Sequence, residues 1–94
     1  MLQKKILLKR SLDVQDIVRK SVYEFFLQLD ANEVSVAFNR ENLEVVDLVF
    51  NSLRDEDQGI ARIGLQIVYH LLNKTIGDTE TQGVVQTRIA TEKL

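Results

Sequence analysis

The sequence predicts a small α+β domain, with three helices packed on a short two- to three-stranded sheet. Three observations predict it. Apolar side chains recur at helical spacing from Val14 to Leu29. Val34, Val36 and Phe38 alternate with Ser35 and Ala37, as the two faces of a strand do. Val85, Thr87, Ile89 and Thr91 alternate again near the C-terminus.

Taken in order, residues 4–9 carry Ile6-Leu7-Leu8 between lysines and predict a first strand, although the same run suits the first turn of a helix. Ser11 or Asp13 then offers an N-cap oxygen. The helix expected near 13–29 follows, with Val14, Val18, Val22, Phe25 and Leu29 in one stripe. Asp30-Ala31-Asn32 ends it, because Asp and Asn accept turn geometry. A strand is expected near 33–39. Asn39 or Asn42 caps a second helix near 42–54, whose Leu43, Val46, Leu48, Val49, Phe50 and Leu53 form a wide apolar face.

A helix is expected near 58–73, within which residues 60–72 read either way, since Ile60, Ile63, Ile67, Val68, Leu71 and Leu72 fit a helix while Ala61, Ile63, Leu65, Ile67 and Tyr69 alternate. Length decides for a helix. Residues 74–83 form a polar loop and 84–94 a weak edge strand, near 84–91, or a frayed tail. No internal repeat divides the chain, so residues 1–94 are expected to form one globular domain. A chain of 94 residues buries little more than ~60% of its unfolded surface, and it has no Cys to staple it. Association with a second copy is the remaining route to more buried area.

Composition narrows the function. With 45% hydrophobic and 28% charged residues the chain is an ordinary globular one. No run of ~18 apolar residues exists to span a membrane. The basic N-terminus lacks a signal-peptide core, which predicts a cytoplasmic protein. For the same reason the sequon Asn73-Lys74-Thr75 is expected to meet no glycosylation machinery.

Catalytic chemistry finds no constellation. There is one histidine, His70, no cysteine and no G-x-S-x-G elbow. One His cannot build a metal site of the hydrolytic type. Asp55-Glu56-Asp57 looks like the start of a calcium loop, but the positions that need Gly and Glu hold Ile60 and Gln66. An acidic turn in which Asp55 or Asp57 caps the next helix is the expectation. No catalytic residue, cofactor or metal is therefore assigned.

One string resembles a known family. Gly64-Leu65-Gln66-Ile67-Val68 resembles the last glycine box of the GHKL ATPases, the superfamily of sensor-kinase catalytic domains. Asp47-Leu48-Val49-Phe50-Asn51 is similar to the helix that supplies their metal-binding Asn. The resemblance implies a degenerate nucleotide-binding fragment. However, the earlier glycines of the box would fall at Ile60 and Arg62, and no aspartate-glycine adenine motif lies between the two strings. The chain is not assigned to that family.

Charge is distributed unevenly. Residues 1–20 carry six basic and two acidic groups, a net +4, while residues 21–94 carry −6. Lys4, Lys5, Lys9 and Arg10 are the candidate contacts to an anion or nucleic acid, since clustered cations release counterions from phosphate. Against that, the chain is acidic overall, with a pI near 5.3.

The leading expectation is a non-enzymatic interaction or regulatory module that acts through a protein–protein surface. A nucleic-acid-binding regulator using the basic N-terminal segment is the alternative. A homodimer is expected, with Tyr23, Phe26 and Leu27 as candidate interface. On the first long helix Tyr23 lies about 140° and Leu27 about 180° from the centre of the Val18 stripe, and Phe26 bridges the two faces. Coverage of Tyr23 and Leu27 by the chain's own C-terminal segment is the competing reading.

Overall fold

A computed structural model of the chain describes residues 4–13 and 15–92. Every regular element among them is helical, and none is a strand. The helices are α1 (Lys4–Ser11), α2 (Asp16–Phe26), α3 (Ala31–Ala37), α4 (Leu43–Asn51), α5 (Gln58–Lys74) and α6 (Thr79–Glu92). Short 3-10 turns at Arg40–Asn42 and Ser52–Arg54 flank α4. The α+β expectation is thus overturned, and each of its three strands has a physical reason for being a helix.

The strand expected at 33–39 is α3. Asp30 accepts a hydrogen bond from the Glu33 amide at 2.8 Å, and Glu33 Oε1 accepts one from the Asp30 amide at 3.1 Å. This reciprocal capping box satisfies two amides that a strand would have paired elsewhere. Burial then follows helical spacing: Val34, Ala37 and Phe38 are buried, and Val36 points outward at 70% exposure. The strand expected at 4–9 is α1, where Leu, Lys and Arg are all strong helix formers and Leu8 packs on the core.

The edge strand expected at 84–91, and most of the polar loop at 74–83, belong to α6 and its approach. Helix α5 ends at Lys74, and buried Thr75 donates its hydroxyl to the Leu71 carbonyl at 2.8 Å. Gly77 turns the chain with φ of +87°, a region that glycine enters without steric cost. Asp78 then accepts from the Thr81 amide and starts α6. Thr81 and Val85 face inward, with Arg88, Ile89 and Glu92 half-buried beyond them. That spacing is helical, and the Val-Thr-Ile-Thr alternation is incidental to it.

The helical expectations fare better. The one near 13–29 is α2, which ends at Phe26, while Val14 lies outside the described residues. The one near 42–54 is α4 with its trailing 3-10 turn, and the one near 58–73 is α5.

Helix α5 is the central post. It packs against α2, α3, α4, α6 and the 52–54 turn, while α1 lies across α2 and α4. Its buried residues, Ile60, Ile63, Ile67, Val68 and Leu71, meet Phe26, Phe38 and Phe50. The rings of Phe26 and Phe38 sit edge to face, 5.6 Å between centroids. Gly64 lets the 52–54 turn approach: an added Cβ would fall on Ser52 Oγ and lie 3.2 Å from the Leu53 amide nitrogen. That glycine serves packing inside a helix, and it opens no phosphate-binding turn.

Candidate interaction surface

The polar residues singled out from the sequence are used to hold helices together. His70 lies 2.7 Å from the Leu29 carbonyl through Nε2. A carbonyl only accepts, so the imidazole donates and ties α5 to the turn after α2. Asp57 caps α5 by accepting from the Ile60 amide at 3.1 Å. Asp55 accepts two hydrogen bonds from Arg19, at 2.9 and 3.0 Å, and a third from the Asp57 amide. The Arg19 guanidinium holds the Asp55 carboxyl below the usual carboxylate range, and Asp55 in turn raises Arg19. Arg19 also donates to the Asp13 carbonyl, so one side chain joins the start of α2 to the start of α5. No group of three or more His, Cys, Asp or Glu residues among the described residues is placed to hold a metal ion. The acidic turn at 55–57 is a fork for an arginine and a helix cap. Thr75 of the sequon is buried, which leaves that string a structural part.

The expected interface triplet is divided by the fold. Tyr23 is 3% exposed and Phe26 is fully buried, both in the central core; Leu27 is half-buried against it. Burial also pushes the Tyr23 phenol up. Helix α2 turns its Arg19–Val22–Tyr23–Phe26 side toward α5, a rotation away from the Val18-centred stripe. The Arg19–Asp55 fork holds this side inward, and Leu29, beyond the end of α2, reaches the core from the following turn. These three residues therefore present no exposed patch to a partner.

Among the described residues, Leu12, Val36, Leu43 and Ile76 are exposed apolar side chains, and two further places each hold a pair. On α5, Leu65 and Tyr69 stand one turn apart at 45% and 71% exposure, on the side opposite the core. At the α1–α2 corner, Ile6 and Ile17 are exposed, and Val18, Val22 and Phe25 continue from them into a groove of about 350 Å³. Among the described residues Arg10 is the one charged residue lining it. Lys5, Lys9 and Arg10 are all exposed on α1, a helix without an acidic residue; the side chain of Lys4 lies outside what is described. So the basic cluster and an apolar groove occupy the same corner. Sequence periodicity missed this, because Ile6 and Ile17 belong to different helices; the signal was the run of cations with no acid in α1.

A wider groove, about 770 Å³, runs between the 40–42 turn and α6. Leu43 and Val84 contribute apolar surface to it, while Arg40, Glu80 and Arg88 give it mixed charge, two cations to one anion.

No protein-family model, curated protein or solved structure matches the chain. No helix among the described residues is long and apolar enough to cross a membrane.

Proposed function

We propose that this chain is a non-enzymatic interaction module that acts through a protein–protein surface and pairs with itself. The observation that carries the reading is the Leu65–Tyr69 step on α5. Single exposed apolar residues are ordinary, but a pair at i, i+4 on one helix face forms a stripe that a second helix covers well. Arg19, Asp55, Asp57 and His70 are engaged in a fork, a cap and a carbonyl contact. C2 dimers are the commonest oligomers, and such a dimer would bring two copies of this stripe together. Light scattering at ~100 µM tests it. A dimeric mass that falls to the monomer in Leu65→Glu, with helical content retained, is expected. A monomer at that concentration removes self-association, since it implies a dimer weaker than ~5 kcal/mol.

A nucleic-acid-binding regulator is the second reading, favoured by the exposure of Lys5, Lys9 and Arg10 on one helix. It requires binding of DNA or RNA with a steep salt slope that flattens when Lys4, Lys5, Lys9 and Arg10 become Ala. Absence of binding at ~50 mM salt eliminates it.

A further inference from the structure

We infer that the α1–α2 groove is a docking site for an acidic amphipathic helical segment of a partner protein. This inference rests on the protein-surface reading above and gives that reading a second site and a partner chemistry. The groove has an apolar floor and a basic rim, and the two parts call for different things. Ile6, Ile17, Val18, Val22 and Phe25 supply the floor, and about 350 Å³ holds a few apolar side chains rather than a whole helix. A helix laid on it would insert anchors from one face, at i and i+3 or i+4, and keep its backbone outside.

The rim selects the charge. Arg10 stands one helical turn beyond Ile6 on the same face of α1 and lines the groove, while Lys5 and Lys9, themselves one turn apart, add exposed positive charge on the neighbouring side of the same helix. Among the described residues no acidic one lines the groove. The rest of the chain, residues 21–94, is net acidic, so this corner is the positive pole of the molecule. Carboxylates flanking the anchors would be steered to it and held at the edge of a desolvated contact. A nucleic acid uses the cations but leaves the aliphatic floor wet, since phosphate and sugar do not cover Ile6 and Ile17. The floor is what favours a peptide.

The test uses the full chain, isotope-labelled, and three probes: a peptide of about two heptads with Leu at helical spacing and Glu elsewhere, the same peptide with Lys for Glu, and a DNA duplex. Expected is that the acidic peptide shifts the amides of α1 and α2, and that the basic one does not. Lys9→Glu with Arg10→Glu should weaken the acidic peptide by about tenfold or more. Ile17→Glu, at a position 67% exposed, should abolish the shifts while circular dichroism stays unchanged. If both peptides bind alike, or the acidic one shifts only α5 around Leu65 and Tyr69, this inference fails and the protein-surface reading stands. If neither peptide binds, this inference fails whether or not the duplex shifts α1, and the protein-surface reading is then decided by light scattering alone.

Discussion

Helices α5 and α6 are neighbours of similar length, 17 and 14 residues, docked by different forces. Helix α5 buries Ile60, Ile63, Ile67, Val68 and Leu71; α6 buries only Thr81 and Val85 as completely. What α6 has instead is charge. Arg54 pairs with Glu92, Arg88 pairs with Asp47, and the Arg88 guanidinium lies 5.7 Å above the Phe50 ring. Apolar burial responds little to salt at ordinary concentrations, while ion pairs near the surface weaken as added salt shortens the Debye length from ~8–10 Å. One helix is therefore fixed by the core, and the other is attached to it under solution conditions.

The sharpest way to break that comparison is Leu71→Ala. Leu71 is fully buried, and its loss should cost about 2–5 kcal/mol by chemical denaturation, as cavity-forming substitutions do. Ile89→Ala on α6, half-buried, should cost less than half as much. Equal losses would mean that apolar burial holds α6 as firmly as it holds α5.

Next come the two glycines. Ala is the better helix former by ~1 kcal/mol, yet Gly64→Ala should destabilise by about 1–3 kcal/mol, because its Cβ has no room beside Ser52. Gly83 on α6 has nothing within 4 Å of an added Cβ, so Gly83→Ala should stabilise by roughly 0.5–1 kcal/mol. Thermal melts give both signs at once, and a stabilised Gly64→Ala variant would refute the close approach.

Arg88→Ala should cost no more than about 1 kcal/mol, and the difference from the parent should shrink as salt is raised. A salt-independent loss would assign Arg88's contribution to its stacking on Phe50.

The smallest effect lies in acid. Asp78, at the start of α6, is held below the usual carboxylate range by hydrogen bonds from Thr81, side chain and amide, and from Ser35. A carboxyl lowered in the folded state stabilises fully above its unfolded value, near pH 4, and loses that contribution as pH falls through the folded one. Asp78→Asn keeps an acceptor for the cap and removes the titration. Its stability should be flatter than the parent's below pH 4; identical acid profiles would place the proton elsewhere.

What the sequence made legible follows the same division. The apolar faces of α4 and α5 were readable because Val46, Val49 and Phe50, and Ile60, Ile67 and Leu71, recur at one period in segments long enough to average over exceptions. Helices α3 and α6 were misread because β-branched residues fall on alternate positions in both, and alternation was weighed above capping. Asp30-x-x-Glu33 was the stronger local signal, since it accounts for amides as well as side chains. At the surface, the basic run of α1 was plain. The groove beside it was hidden, because Ile6 and Ile17 become neighbours only when two helices fold together.

The contact between Gly64 and Ser52 bears on how this sequence can drift. Ser52 is fully buried and turns its hydroxyl back to the Val49 carbonyl, so it cannot swing aside to admit a methyl group at 64. The two positions form one joint constraint, in which a gain of volume at either must be met by a loss at the other. Divergent chains with this fold are then to be sought by small residues held as a pair on the 52–54 turn and the facing side of α5. Either position alone carries too little information to find them.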